Sequence, residues 1–196
     1  ADSFPLLAVP FFMLAGEIMN VGGLSRRIVT LALAIVGHVR GGLGYVTIMA
    51  GCLLAALSGS AVADAAALTA LLLPMMVRAG HDKARAGGLI AATGIIAPVL
   101  PPSIGLIIFG VAANVSISKL FMAGIAPGLM IGMALWFTWW WLVRKDKFVA
   151  PPRQPRAVVV QALRDAAWAL MLPVIILVGL RMGAVSYTHL TLPTKA

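Results

Sequence analysis

Charge is scarce in this sequence. Only 11% of its 196 residues are Asp, Glu, Lys or Arg, against about 25% in an ordinary soluble domain. So few charges cannot coat a globule of this size, and a water-soluble fold is excluded. Acids are scarcer still, with 6 Asp and Glu against 15 Lys and Arg and a net charge of +9. Spread over one face, that excess would suggest a nucleic-acid partner. Here the cations gather between apolar runs instead, at Arg26/Arg27, Arg40, Arg78/Lys83/Arg85 and Arg144/Lys145/Lys147/Arg153/Arg156. That is the pattern of cytoplasmic loops between membrane segments, so no nucleic acid is expected as a partner.

Other absences narrow the chemistry. The single cysteine, Cys52, can form neither an intrachain disulfide nor a CxxC metal motif, and within its apolar run it reads as a small buried hydrophobe. There is no HExxH, no GxSxG and no phosphate-binding lysine loop. No enzyme is expected and no cofactor, and without an ATP site any driving force has to come from an ion gradient or another subunit. His38 and His81 stand beside charged residues and read as solvated loop positions.

What the sequence has is apolar length. Hydrophobic residues make up 61% of it, in runs approaching the roughly 20 residues of a membrane-crossing helix. An all-α polytopic membrane protein is expected. The runs divide the chain into a partial transmembrane helix at 1–24, an interfacial helix and loop at 25–42, and a helical hairpin at 43–78 with its tip at 58–60. A discontinuous transmembrane helix follows at 86–114, broken at 98–103. A transmembrane helix is expected at 118–143, with Trp136, Trp139, Trp140 and Trp141 as an interfacial aromatic belt beside Arg144. Residues 144–167 read as a cytoplasmic loop and surface helix, 168–183 as the start of the next transmembrane helix, and 186–196 as a non-native tail. The chain opens on Ala1, with neither Met nor a basic leader, and reads as the interior of a longer protein.

The arms of the 43–78 hairpin reach about 22–26 Å at 1.5 Å per residue, short of a ~30 Å bilayer core. Arg40 stands before the first arm and Arg78 to Arg85 after the second. Arm length and a polar tip favour a re-entrant hairpin that enters and leaves on one side, although two short spans would give the same charge pattern.

Two stretches can carry chemistry. The tip, Ser58-Gly59-Ser60, sets two hydroxyls around a glycine, and Asp64 follows one helical turn later. Hydroxyl and backbone oxygens suit a hard cation, while the amides opening the second arm suit an anion. An ordinary turn with Ser60 as cap and Asp64 as first-turn acid fits equally well. The second stretch runs from Thr93 and Gly94 to Pro98, Pro101, Pro102 and Ser103. Each proline removes a backbone donor and clashes with the preceding turn, and the flanks are membrane-apolar. Broken backbone at that depth is tolerated where protein or a water-filled cavity satisfies it; the alternative is a proline kink that only shapes packing.

The runs PFFMLAGEIMN, VGHVRGGLGYVTIMAG, LSGSAVADAAAL and IAPVLPPSIGLIIFGVAANVSISKLFMAGIAPG together resemble the large, DctM-like membrane subunit of tripartite ATP-independent periplasmic (TRAP) transporters, over roughly residues 2–183. The resemblance implies a partial elevator fold of the ion transporter superfamily, in the bacterial inner membrane. It further implies Na⁺-coupled import of an organic acid such as a C4-dicarboxylate or sialic acid, with a small four-helix membrane subunit and a periplasmic substrate-binding protein as partners. Carried over, Ser58, Gly59, Ser60 and Asp64 form the inward hairpin tip, and Thr93, Gly94, Pro98, Pro101, Pro102 and Ser103 the unwound helix. Na⁺ is expected near Ser58, Ser60 and Gly94. The inverted second half that the family carries is not part of this sequence. A symporter of the same superfamily without a binding protein is the near alternative; a passive membrane scaffold or a membrane enzyme is the distant one.

Overall fold

The structure is a computed structural model that describes residues 14, 18, 22–146 and 152–181. Most of the expected helix at 1–24, Lys147, and the tail at 186–196 lie outside the described residues. Among the described residues there are seven helices and no strand: α1 (Leu24–Val36), α2 (Gly42–Ser58), α3 (Ala61–Arg78), α4 (Lys83–Gly94), α5 (Ile104–Ala112), α6 (Ile117–Val143) and α7 (Arg156–Arg181).

Three of these helices open on small polar caps. Ser60 caps α3 by accepting from the Ala63 amide, Asp82 caps α4 through the Arg85 amide, and Ser103 caps α5 through the Leu106 amide. At the end of α3, Gly80 takes a left-handed φ of 89°, and the amides of Gly80 and His81 turn back to Val77 and Met76. Asn114, at φ 53°, closes α5 in the same way onto Val111 and Gly110. Asp64 in the first turn of α3 and Arg78 in its last complement the helix dipole.

α3, with 18 residues, and α6, with 27, are long and apolar enough to cross a membrane. α2 is apolar too, but has 17 residues. α2 and α3 meet through the two-residue link Gly59-Ser60. α1, α2, α3 and α7 share one core built on Ile28, Leu31, Val46, Leu68, Leu72 and Ala162. A second core surrounds Trp139, with Tyr45, Ile48, Met76, Leu89 and Val143. A third, small one joins Ala55 to Ile96, Ala97 and Leu100 beside the α2–α3 link.

Close approach decides where α6 sits. Gly124, Gly128 and Gly132 recur every fourth residue along it, on one face. A methyl group at Gly124 would meet the Val99 carbonyl, one at Gly128 would lie 2.8 Å from Leu100, and one at Gly132 would lie 3.1 Å from the Cys52 sulfur. The opposite face, with Leu129, Met130 and Met133, is exposed.

Three expectations change. Trp139 does not share the exposed belt of Trp136, Trp140 and Trp141: it is 1% exposed, and its indole N–H donates to the Gly41 carbonyl at 3.0 Å. The reason lies at Gly44, where any side chain would overlap the indole. His81 is not solvated but buried, its ring 5.5 Å from that of Trp139. Finally, no break separates a surface helix ending at 167 from a new span at 168, because α7 is one continuous helix. α7 lies against α1, where Arg27 donates to the Asp165 carbonyl.

Candidate functional site

The tip is held by a short relay of hydrogen bonds. α2 ends at Ser58, and Gly59 reverses the chain at φ 61° and ψ 13° while its amide closes on Ala55. The Ser58 hydroxyl donates to Asp64 Oδ1 at 2.6 Å and accepts from the Ser60 amide at 3.1 Å. Ser60 Oγ accepts from the Ala63 amide at 3.4 Å. Each serine oxygen therefore keeps one lone pair unused by these bonds. Ser60 does act as a cap; that role fills one lone pair and leaves the other.

Asp64 is the anomaly. It is 5% exposed, and its second oxygen, Oδ2, meets no hydrogen-bond partner among the described residues. The salt bridge found among those residues, Arg85–Asp146, involves other groups. A buried carboxylate without a counter-charge is costly. The α3 N-terminus offsets part of that, by about 0.3–1 kcal/mol in exposed helices and somewhat more when partly buried.

The break runs from Ile95 to Ser103, beginning three residues earlier than the sequence suggests, because Gly94 already ends α4. Prolines at 98, 101 and 102 deprive the carbonyls of Gly94, Ala97 and Pro98 of their helical partners. The Gly94 carbonyl recovers the Ala97 amide at 3.3 Å, and the Pro98 carbonyl recovers the Ser103 hydroxyl at 2.7 Å. The Ala97 carbonyl gains no such bond among the described residues. The Pro101–Pro102 peptide is cis. Pro101, Pro102 and Ser103 are buried, while Pro98 is exposed.

The two stretches touch. A methyl group on Gly59 would lie 2.9 Å from the Pro102 carbonyl and 3.1 Å from the Ile104 nitrogen. One on Gly94 would lie 3.2 Å from the Ala61 carbonyl and 3.3 Å from Ala65. The tip thus seats on the end of the break, and the first turn of α3 on its beginning. Thr93 turns away: its hydroxyl donates to Leu89 at 2.8 Å, and its methyl fills the space over Gly51. Three of the expected positions, Ser58, Ser60 and Asp64, bring side-chain oxygen to this junction, while Gly59, Gly94 and Pro102 bring backbone. No three His, Cys, Asp or Glu converge anywhere among the described residues. The ligands on offer are hydroxyl, carbonyl and a single carboxylate, a set for a hard cation rather than a soft one.

At the other end of α2 and α3, sequence reasoning missed a clasp. Arg85 pairs with Asp146 at 2.7 Å, Arg40 donates to the Asp146 carbonyl, and His81 packs on Trp139. Burial depresses the His81 pKa; Asp146 pulls it back up and Arg85 adds to the depression. The signal for the clasp was the glycine run at 41–44 opposite a tryptophan-rich segment.

The profile of the family described as "Tripartite ATP-independent periplasmic transporter, DctM component" matches residues 1–193. The chain is 57% identical over 192 residues to the 2,3-diketo-L-gulonate TRAP transporter large permease protein YiaN of Escherichia coli, covering 96% of this chain and 44% of that protein. It is 43% identical over 188 residues to the sialic acid TRAP transporter large permease protein SiaM of Vibrio cholerae, again with 96% and 44% covered. The C4-dicarboxylate TRAP transporter large permease protein DctM of Pseudomonas aeruginosa is 39% identical over 189 residues, with the same coverage. The chain therefore spans less than half the length of these curated relatives.

Proposed function

The chain belongs to the DctM component family of TRAP transporters, and from that premise we propose that it forms part of the large membrane subunit of a binding-protein-dependent secondary transporter importing an organic carboxylate by Na⁺ symport. The relatives are transport permeases named for diketogulonate, sialic acid and C4-dicarboxylates. All are carboxylates, which supports an organic acid as the cargo here. The working assembly adds a small membrane subunit and a periplasmic binding protein, and sits in the bacterial inner membrane.

One observation carries the reading: the left-handed Gly59 tip is seated against the unwound Pro102–Ile104 backbone. Two interrupted helices meeting inside a membrane protein are the means by which secondary carriers expose carbonyls and helix ends to an ion and an anionic substrate. In this arrangement Na⁺ takes the spare lone pairs of Ser58 and Ser60, with backbone oxygen from the neighbourhood of Gly94. The unsatisfied Asp64 oxygen supplies negative potential. α2 and α3 act as a re-entrant hairpin in a domain that moves as an elevator.

The test is uptake against Na⁺ concentration in proteoliposomes holding the full-length parent and its partners, with the melting temperature recorded alongside. Ser58→Ala and Ser60→Ala should each raise the Na⁺ concentration for half-maximal uptake, while a lost cap accounts for only about 1 kcal/mol of stability. Variants that keep the wild-type Na⁺ curve and merely melt earlier would make the tip a structural turn.

A further inference from the structure

Far from the tip, at the opposite ends of α2 and α3, a cavity of about 450 Å³ opens between the α1–α2 loop, the α3–α4 turn and residues 152–154. Its walls are apolar at Leu33, Val39, Leu43 and Met75 and polar at His38 and His81. No Asp, Glu, Lys or Arg lines it. Each of the three segments that form its mouth nevertheless carries an arginine next to a lining residue. Arg40 lies between Val39 and Gly41, Arg78 precedes Ala79, and Arg153 lies between Pro152 and Gln154. All three are exposed. Arg40 donates to a neutral carbonyl, and the ion pair found among the described residues, Arg85–Asp146, involves none of the three. Asp82, the acid nearest in sequence to Arg78, is engaged in capping α4.

We propose that this cavity binds the headgroup region of an anionic phospholipid, its phosphate drawn to Arg40, Arg78 and Arg153 and its glycerol and upper acyl carbons lying against Leu33, Leu43 and Met75. The chemistry selects this occupant. A free phosphate ion would gain the charge but not the apolar walls, and an apolar molecule would gain the walls but not the rim. Basic pockets between membrane helices, at the ends where cations cluster, are where anionic headgroups bind. The volume falls within the ~300–1,000 Å³ of ordinary ligand pockets, enough for a headgroup whose chains continue into the bilayer. The site is separate from the tip and does not depend on the Na⁺ reading.

The experiment uses the purified full-length parent, with phosphatidylglycerol and phosphatidylcholine added in equal amounts and retained lipid counted by native mass spectrometry. Phosphatidylglycerol should be retained preferentially. R40Q and R153Q should each weaken retention about fivefold. A79F, which fills the cavity and leaves every arginine in place, should abolish the preference, and V39F should do so from the other wall if A79F folds poorly. R27Q, outside the cavity, should change nothing, and millimolar inorganic phosphate should not displace the lipid. Equal retention of both lipids overturns the proposal. So does undiminished preference in a folded cavity-filling variant, an R27Q effect as large as that of R40Q, or displacement by phosphate.

Discussion

Gly59→Ala is the sharpest test of the tip–break contact. Two costs should add. The first is conformational: at φ 61° a residue with a Cβ loses about 1–2 kcal/mol relative to its preferred backbone regions. The second is contact: the new methyl would lie 2.9 Å from the Pro102 carbonyl. That atom is backbone, not the end of a flexible side chain, so the break itself has to move, and overpacking of this kind adds about 1–3 kcal/mol. Gly80→Ala separates the two costs. Gly80 also has a positive φ, 89°, but nothing lies within 4 Å of its would-be Cβ. It should therefore show the conformational cost alone. In the full-length protein, G59A should lose about 2–5 kcal/mol in denaturant or thermal unfolding against about 1–2 for G80A. G59A should also shift the Na⁺ dependence of uptake, which G80A should leave in place. Equal losses in the two variants would refute the contact, and an unchanged Na⁺ curve in G59A would refute its functional importance.

Asp64→Asn keeps an oxygen to accept from Ser58 but removes the charge; it should raise the Na⁺ requirement in uptake assays with little change in melting temperature, whereas Asp64→Ala should raise that requirement and also lower the melting temperature. Trp139→Phe removes the indole N–H from the Gly41 carbonyl, which keeps the Gly44 amide as a donor, so thermal unfolding should report about 0.5–1.5 kcal/mol for the lost hydrogen bond. Arg85→Ala breaks a 2.7 Å pair whose side chains are 39% and 29% exposed; the loss should stay below about 1 kcal/mol and shrink further in high salt. In intact cells, an impermeant thiol reagent should label a cysteine at Ser116 and not one at Gln154; the reverse pattern would invert the orientation.

The helices were legible wherever apolar length and small polar caps coincide. Ser60, Asp82 and Ser103 open helices by a local rule, and the prolines at 98, 101 and 102 keep the chain from resuming one between Gly94 and Ser103. The serine–glycine–serine link and the proline break were both visible as interruptions in otherwise apolar sequence. Their contact was not, because nothing along the chain says that Gly59 and Pro102 meet across 43 positions. The fate of Trp139 was hidden for a similar reason. Its neighbours Trp136, Trp140 and Trp141 do face outward, and only the missing side chain at Gly44 admits this one indole to the core. His81 looked solvated beside Asp82, yet it follows that tryptophan inward. Composition also did not show that 157–167 and 168–181 form one helix: α7 runs through the change of surroundings at 167/168 and through Pro173.

The glycine row of α6 bears on how this protein can change over generations. Every fourth position from 124 to 132 is frozen at the smallest residue, because a single added methyl would press on the break at 124 and 128 and on Cys52 of α2 at 132, while the outward-facing residues between them are free to exchange one apolar side chain for another. Drift along α6 is thus confined to stripes. A lineage that needed a different exterior, for a thicker bilayer or another neighbouring subunit, could rewrite Leu129, Met130 and Met133 without disturbing the interrupted backbone behind them.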